Sequence, residues 1–394
     1  MLPLTGIKVA EVAQNLSGPY AAEILATLGA DVVKVERPGG DDARGWGPPF
    51  TAGAATAFQT VNRNKRSVTL DLKRPEDCQR LHALVAEADV LVQNLRPGSL
   101  DALGFDAASL RAAHPRLVYC SLWAFGAVGP MRLDPGYEPM VQAFSGLFGL
   151  NGDANGPPSR VGVQVLDLGS GVWAALGCIA ALFRRMTTGE GAVVDTSLLE
   201  VALGWMSVPF AAFAKTGIAP PRHRTGNPNL VVFEALPTAD GELVVVAAND
   251  RLFAKLAGVL GRPDWAADPR YASNAGRVGH KAELIPAIAA LTAARPSAHW
   301  AALFNEAGVP FAPINDLGSL LRDPQVAALG MLQAIPGLDI PTMGLPVSFD
   351  GVRPAMRTPA PPLSAAASPA SSVPAAPAPP ALSQSPAEAA DVHR

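Results

Sequence analysis

Residues 6–36 read GIKVAEVAQNLSGPYAAEILATLGADVVKVE. Residues 6–12 form a short apolar run fit for a buried strand, and residues 14–19 mix Asn, Ser, Gly and Pro as a loop does. Residues 20–28 carry Ala, Ile and Leu at helical spacing and stop at Gly29, after which residues 31–36 read as a second buried strand. Strand, helix and strand joined this tightly make a βαβ unit with two parallel strands. Glu36 closes the second strand, where dinucleotide-binding folds often carry a ribose-binding acid. The first loop, AQNLSGP, lacks the G-x-G-x-x-G that would bring a pyrophosphate onto the helix N-terminus, so the motif argues against a nicotinamide dehydrogenase.

The pattern continues outward from this unit. Residues 67–72 read as a strand, 75–86 as a crossover helix, 89–93 as a strand and 117–122 as another. Asn94, Leu95 and Arg96 stand where the 89–93 strand gives out, with Pro97 and Gly98 turning the chain; a plain turn and a ligand contact are both open at Asn94. Residues 1–214 are thus expected to form most of a Rossmann-like large domain of the α/β class. Residues 215–229 are rich in Pro, Gly and basic side chains and read as a linker. A hairpin over 236–249, helices over 251–260, 281–293 and 297–307, and a strand over 309–314 predict a smaller α+β domain at residues 230–325, with Ser297 as an N-cap. Residues 326–357 are expected to return to the large domain around Phe349. From 358 to 394 the chain is mostly Ala, Pro and Ser and is expected to be a disordered tail.

Residues 160–202, RVGVQVLDLGSGVWAALGCIAALFRRMTTGEGAVVDTSLLEVA, hold the candidate for chemistry. Val161, Val163 and Val165 alternate as in a strand, Gly169-Ser170-Gly171 reads as a turn, and residues 172–183 as a long apolar helix. That puts Asp167 at a strand-to-helix junction among small residues that let a bulky ligand approach. Such a carboxylate can cap the helix or, at the carboxyl edge of a sheet, act as a nucleophile or general base.

Composition narrows the classes. Of 394 residues 49% are apolar, and the net charge of −3 leaves no basic footprint for nucleic acid. The basic groups around Arg63, Lys65, Arg66, Lys73 and Arg74 could hold one phosphorylated ligand, though a solvated face is the default reading. Cys78, Cys120 and Cys178 have no metal or redox spacing, the six histidines are scattered, and no metal site is expected. The first residues lack a signal-peptide pattern, and the apolar run 198–214 is interrupted by Glu200 and Pro209. A cytoplasmic protein with no membrane span is expected.

Six blocks, from the LSGPYAAEILATLGADVVKVERPGGDDAR segment at residue 16, through NRNKRSVTLDLKRPED, ADVLVQNLRPGSLDALGF, GYEPMVQAFSGL and the Asp167 stretch, to FNEAGVPFAPINDL, resemble in order those of the class III CoA-transferases (the CaiB/BaiF family, with formyl-CoA and carnitine CoA-transferases). The resemblance runs from Leu4 to about Pro361. It implies that Asp167 is a covalent nucleophile toward an acyl-CoA, passing CoA to a free carboxylic acid, with Gly169 and Gly171 freeing N–H groups for the oxyanion. CoA itself enters as a substrate thioester, and no permanently bound cofactor is implied. The resemblance further assigns Leu16 and Ser17 to the pantetheine, Arg37 to the nucleotide phosphates, and Leu70, Asp71, Leu72 and Lys73 to the adenine pocket. Asn94, Leu95 and Arg96 become a CoA-contacting turn, and Glu138 an acid near the nucleophile. It also implies an interlocked homodimer. Ala102 stands where an arginine is usual, and RTGNPNLVVFEA where some members have a glycine-rich lid. A 2-methylacyl-CoA racemase shares these blocks but needs a histidine where Tyr137 stands, a poor base at neutral pH with an ordinary pKa near ~10. A non-catalytic acyl-CoA-binding relative is the third reading.

Overall fold

The computed structural model describes residues 1–364; the stretch 365–394, most of the expected tail, lies outside the described residues. Six strands, β1 (Lys8–Val12), β2 (Asp31–Glu36), β3 (Arg66–Thr69), β4 (Val90–Gln93), β5 (Val118–Trp123) and β6 (Val193–Ser197), form one parallel sheet in the order β3-β2-β1-β4-β5-β6. Ala10 of β1 lies between Val33 of β2 and Leu91 of β4. Side chains alternate in period two: Val9, Val32, Val90 and Val118 enter one core, and Ala10, Val33, Leu91 and Tyr119 the other. Both faces being covered, these strands read as continuous apolar runs.

Helix α1 (Ser17–Thr27) crosses from β1 to β2 and α2 (Pro75–Glu87) from β3 to β4. Between β5 and β6 come α3 (Glu138–Phe144) and α4 (Val165–Thr188), and after β6 come α5 (Leu198–Trp205) and α6 (Ser207–Thr216). On the first face, Ala21, Ala22 and Leu25 of α1 pack with Ala174, Ala175 and Cys178 of α4. The approach is close because α4 carries glycines there. A Cβ at Gly171 would lie 2.9 Å from the Ser17 carbonyl oxygen, and one at Gly177 2.6 Å from Val194 Cγ1. By length and apolarity alone α4 could cross a membrane, yet it carries Arg184 and Arg185 near its C-terminal end and half of its most apolar stretch is buried in the protein.

The sheet order reverses between β1 and β4, so a crevice opens at their carboxyl ends. A second core is built from a three-stranded antiparallel sheet of β7 (Phe233–Thr238), β8 (Gly241–Val246) and β9 (Phe311–Pro313) with α7 (Asp250–Val259), α8 (Lys281–Thr292) and α9 (Ser297–Ala307). Leu243, Val245, Phe253, Ile288, Trp300 and Phe304 fill it. Ser297 is not the cap of α9. Pro296 holds the N-cap position, and the Ser297 N–H instead donates to Asp240 Oδ1 at 2.7 Å, tying the helix to the hairpin turn.

Ile335, Leu345 and Met356 return the chain to the first core. The expectation of disorder from Thr358 onward is corrected for residues 358–364, which dock on the sheet's β3 side. Asn64 bonds both the N–H and the C=O of Thr358, buried Gln59 accepts from the Ala360 N–H at 3.0 Å, and Arg44 and Thr69 donate to the carbonyls of Pro361 and Ser364. Low apolar content hid this, because the segment is held by backbone hydrogen bonds and by Ala360 fitting against Ala43 and Phe58. Truncation after Arg357 is expected to lower the melting temperature by about 3 °C, as Gln59 and Arg44 lose partners worth roughly 1 kcal/mol each. Truncation after Ser364, which keeps those contacts, is the control; calorimetry of the two checks it.

Candidate active site

The crevice is built from loop ends. After β1 the chain runs through Gln14, Asn15 and Leu16 into α1, with Asn15 at φ 66°. Asn94, just past β4, fixes this loop with its side-chain amide: Oδ1 accepts from the Gln14 N–H at 2.8 Å, and Nδ2 donates to the Gln14 carbonyl at 2.8 Å and to Ser17 Oγ at 3.3 Å. The amide thereby mimics a strand neighbour where the sheet has ended. Of the two readings open at Asn94, it is a loop clamp by geometry and also lines the cleft.

The opposite wall is the start of α3 and the start of α4. Pro139 and an extended Tyr137 set the first turn of α3, which turns Glu138 inward, where its carboxylate is buried. Glu138 Oε2 meets Arg160 Nη2 at 3.0 Å, and Oε1 accepts from the Gln142 side chain. Gln142, fully buried, also takes the Val161 N–H at 3.0 Å. These contacts hold residues 160–161 just before α4. A cleft of about 220 Å³ results, lined by Ser17, Asn94, Arg96, Glu138 and Asp167 among others.

Asp167 is in the first turn of α4, three residues past the Gln164 N-cap, and not in a junction after a strand. Residues 161–164 form no strand, and Gly169 and Gly171 are helical instead of forming a turn. Their backbone N–H groups are therefore taken by the helix ladder and do not serve an oxyanion. Their lack of side chains serves packing: a Cβ at Gly169 would lie 2.9 Å from Val201 Cγ1. Asp167 caps nothing with its side chain and faces the cleft. Burial pushes its carboxyl up to about 7, the nearby Glu138 carboxylate pushes the same way, and Arg160 opposes both. A carboxylate so poised and so poorly solvated is suited to attack an electrophile or to exchange a proton near neutrality.

The remaining sequence candidates lie along the same carboxyl edge. Leu16 is the N-cap of α1 beside Ser17. Arg37, after β2, is mostly exposed and pairs with Asp42. Leu70 is buried in the core, Asp71 caps the Lys73 N–H at 3.1 Å, and Lys73 itself is exposed after β3. Leu95 and Arg96 follow Asn94 into the cleft lining. Glu36 is not free for a ribose: it accepts from Arg44 Nε at 2.7 Å, from Ser67 and from the Asp41 N–H. Arg63 and Lys65 are corrected from a solvated face to buried ion pairs, with Glu23 and Glu11. Gln14, Asn15 and Trp46 line the cleft and Arg160 and Gln142 support it without having been singled out, while Tyr137, read only as a poor base, also lines it. Only the Glu138/Gln142 spacing of four on one helix signalled any of them.

Residues 4–366 match the family described as CoA-transferase family III. The chain is 39% identical to the succinate–glutarate CoA-transferase of Agrobacterium fabrum, over 88% of this chain and 89% of that one. It is 37% identical to the acetyl-CoA:oxalate CoA-transferase of Acetobacter aceti, over 89% and 90%. A solved structure of a CAIB/BAIF family protein from Brucella suis superposes with a TM-score of 0.82 at 36% identity, covering 92% of this chain and 96% of that one.

The raised Asp167 carboxyl has a consequence for stability. Its folded value of about 7 lies above the ordinary 3.8, so between those values the folded protein keeps a proton that the unfolded chain has lost. Stability contributed by this group therefore falls as pH rises through that window and stays low above it. Asp167→Asn is expected to melt roughly 2–4 °C higher than the parent at pH 8, with the gap closing as the pH is lowered toward 4. Paired melting curves across that range test it.

Proposed function

This chain belongs to CoA-transferase family III and is a CoA-transferase, and we propose that it moves CoA between dicarboxylic acids through a covalent intermediate on Asp167. The observation that carries this reading is the half-desolvated Asp167 carboxylate facing a cleft at the sheet's carboxyl edge. A carboxylate oxygen of Asp167 attacks the thioester carbonyl, the C–S bond breaks, and CoA leaves as thiolate, giving a mixed aspartyl–acyl anhydride. The thiolate then attacks the Asp167 carbonyl of that anhydride and releases the donor acid, giving an aspartyl–CoA thioester. The acceptor carboxylate attacks this thioester, expelling thiolate and forming a second anhydride. Thiolate attack at the acceptor carbonyl yields the new acyl-CoA and restores Asp167. Each stage conserves an activated acyl group and needs no water.

At about 220 Å³ the cleft suits the reacting end of the thioester more than a whole nucleotide. The nucleotide portion would then run along the β1, β2 and β3 ends past Arg37 and Lys73, whose cations suit phosphates. Two relatives whose names carry succinate with glutarate and oxalate support the dicarboxylate class. The Arg160 guanidinium near Asp167 supports it as well, as a cation for the distal carboxylate. The protein, given succinyl-CoA and then hydroxylamine, is expected to yield a hydroxamate at Asp167, and Asp167→Asn to lose transfer by at least about 10³-fold while still binding CoA. A label elsewhere, or transfer surviving in that variant, would sink the covalent reading.

The proposal includes a homodimer. Trp173, Phe183 and Met186 of α4 with Leu203 of α5 and Val208 and Phe210 of α6 are all exposed, an apolar area of the kind that covers itself with a partner. Light scattering at micromolar concentration should give twice the chain mass of 40.7 kDa; a stable monomer counts against it.

A further inference from the structure

Beneath the crevice lies a cluster of charges with no solvent exposure. Lys34, Lys65 and Glu11 are all fully or almost fully buried, as is Asp41. Each ammonium group makes two hydrogen bonds and one further ion-pair contact. Lys34 Nζ reaches Glu11 Oε1 at 2.9 Å, Asp41 Oδ2 at 3.0 Å and the Ala13 carbonyl at 2.8 Å. Lys65 Nζ reaches Glu11 Oε2 at 2.7 Å, Asn62 Oδ1 at 2.9 Å and the Pro19 carbonyl at 2.7 Å. Asp41 uses its other oxygen, Oδ1, to accept the Asn15 N–H at 3.0 Å.

Such a cluster is a poor way to gain stability, since apolar residues of similar volume often serve as well or better. Its outward contacts are what set it apart: Ala13 C=O and Asn15 N–H belong to the turn from β1 into α1, and Pro19 C=O to the first turn of α1 that follows. Asn94 holds the residue between the first two, Gln14, by both of its backbone groups. The turn is thus fixed at successive residues from beneath and from the side. It forms the cleft wall facing Asp167, and Asn15 is kept in a left-handed conformation that a non-glycine residue seldom adopts unsupported.

We infer that Lys34, Glu11, Lys65 and Asp41 are positioning residues, which hold the Ala13–Ser17 turn in register with Asp167 so that the thioester is bound in an attackable geometry. The inference rests on Asp167 being the nucleophile. The four act through the turn and do not touch the reacting atoms. A misplacement near 1 Å at such a wall costs about 10²-fold in rate while most of the binding surface stays intact.

The test compares Lys34→Met, Asp41→Asn and Asp41→Leu with the parent, using succinyl-CoA as donor and glutarate as acceptor. Lys34→Met and Asp41→Leu are expected to lower kcat at least about 30-fold with KM for the thioester within about threefold. Asp41→Asn keeps an oxygen for the Asn15 N–H and should lose less than a third as much. Amide hydrogen exchange gives a reading that needs no turnover: the Asn15 N–H should lose protection about tenfold or more in Lys34→Met, while residues 21–27 of α1 keep theirs. Should Lys34→Met not fold, the two Asp41 variants decide alone. Folded Lys34→Met or Asp41→Leu with kcat within threefold of the parent, unchanged exchange at Asn15 in Lys34→Met, or kcat and protection falling equally across α1 would overturn the inference. If the parent turns over without a trapped adduct on Asp167, the nucleophile reading fails, and the exchange comparison still decides whether the cluster fixes the turn.

Discussion

The contact between the first turn of α1 and the second turn of α4 governs the rest of the molecule. No side chain fits at Gly171, where a Cβ would stand 2.9 Å from the Ser17 carbonyl oxygen, so the two helix backbones meet directly. One helix begins beside Asn94 and the other carries Asp167, so their contact sets the width of the cleft. Ala21, Ala22, Ala174 and Ala175 extend the contact inward with small side chains. Close-packed interiors resist small displacements, and a group held at the end of such a seam inherits that stiffness.

Electrostatics follow from the same closeness. The helices exclude water from around Asp167, and the buried Glu138 adds a like charge nearby, so the carboxyl is held far above the ordinary range of an aspartate. That arrangement disfavours the charged form in the resting protein, a cost the fold carries elsewhere. Part of what offsets it is visible at buried Glu36, whose carboxylate is bonded at once by part-buried Arg44, by Ser67 and by the Asp41 N–H. The exposed apolar face of α4 is the other side of this balance, a helix committed on one side to the core and on the other to solvent or a second chain.

Much of this was legible in the residues. Five of the six parallel strands, their crossover helices and the hairpin of the second core are apolar runs and periodicities punctuated by Gly and Pro, which local physics writes plainly; the sixth strand, Val193–Ser197, is too short and polar to stand out. The failures have equally local causes. Val161, Val163 and Val165 alternate like a strand, but three residues of alternation cannot outweigh the helix that Val165 already begins. Arg63 and Lys65 read as surface because charge is usually solvated, and no neighbouring residue reveals that Glu23 and Glu11, forty and more positions earlier, will pair with them. Thr358 to Ser364 read as unstructured because hydrogen bonds to Asn64, Gln59 and Arg44 leave no mark on apolar content.

The sequence by itself determined the class of fold, the run of elements and the family, because these are set by short-range pattern and by blocks of residues in order. It also singled out Asp167. Only the tertiary structure decided what surrounds that residue: Glu138 and Arg160 beside it, the Asn94 clamp across from it, and the buried lysines behind the facing turn. Those partners come from five separate stretches of chain. Burial and distance are properties of their convergence, and no window of residues contains them.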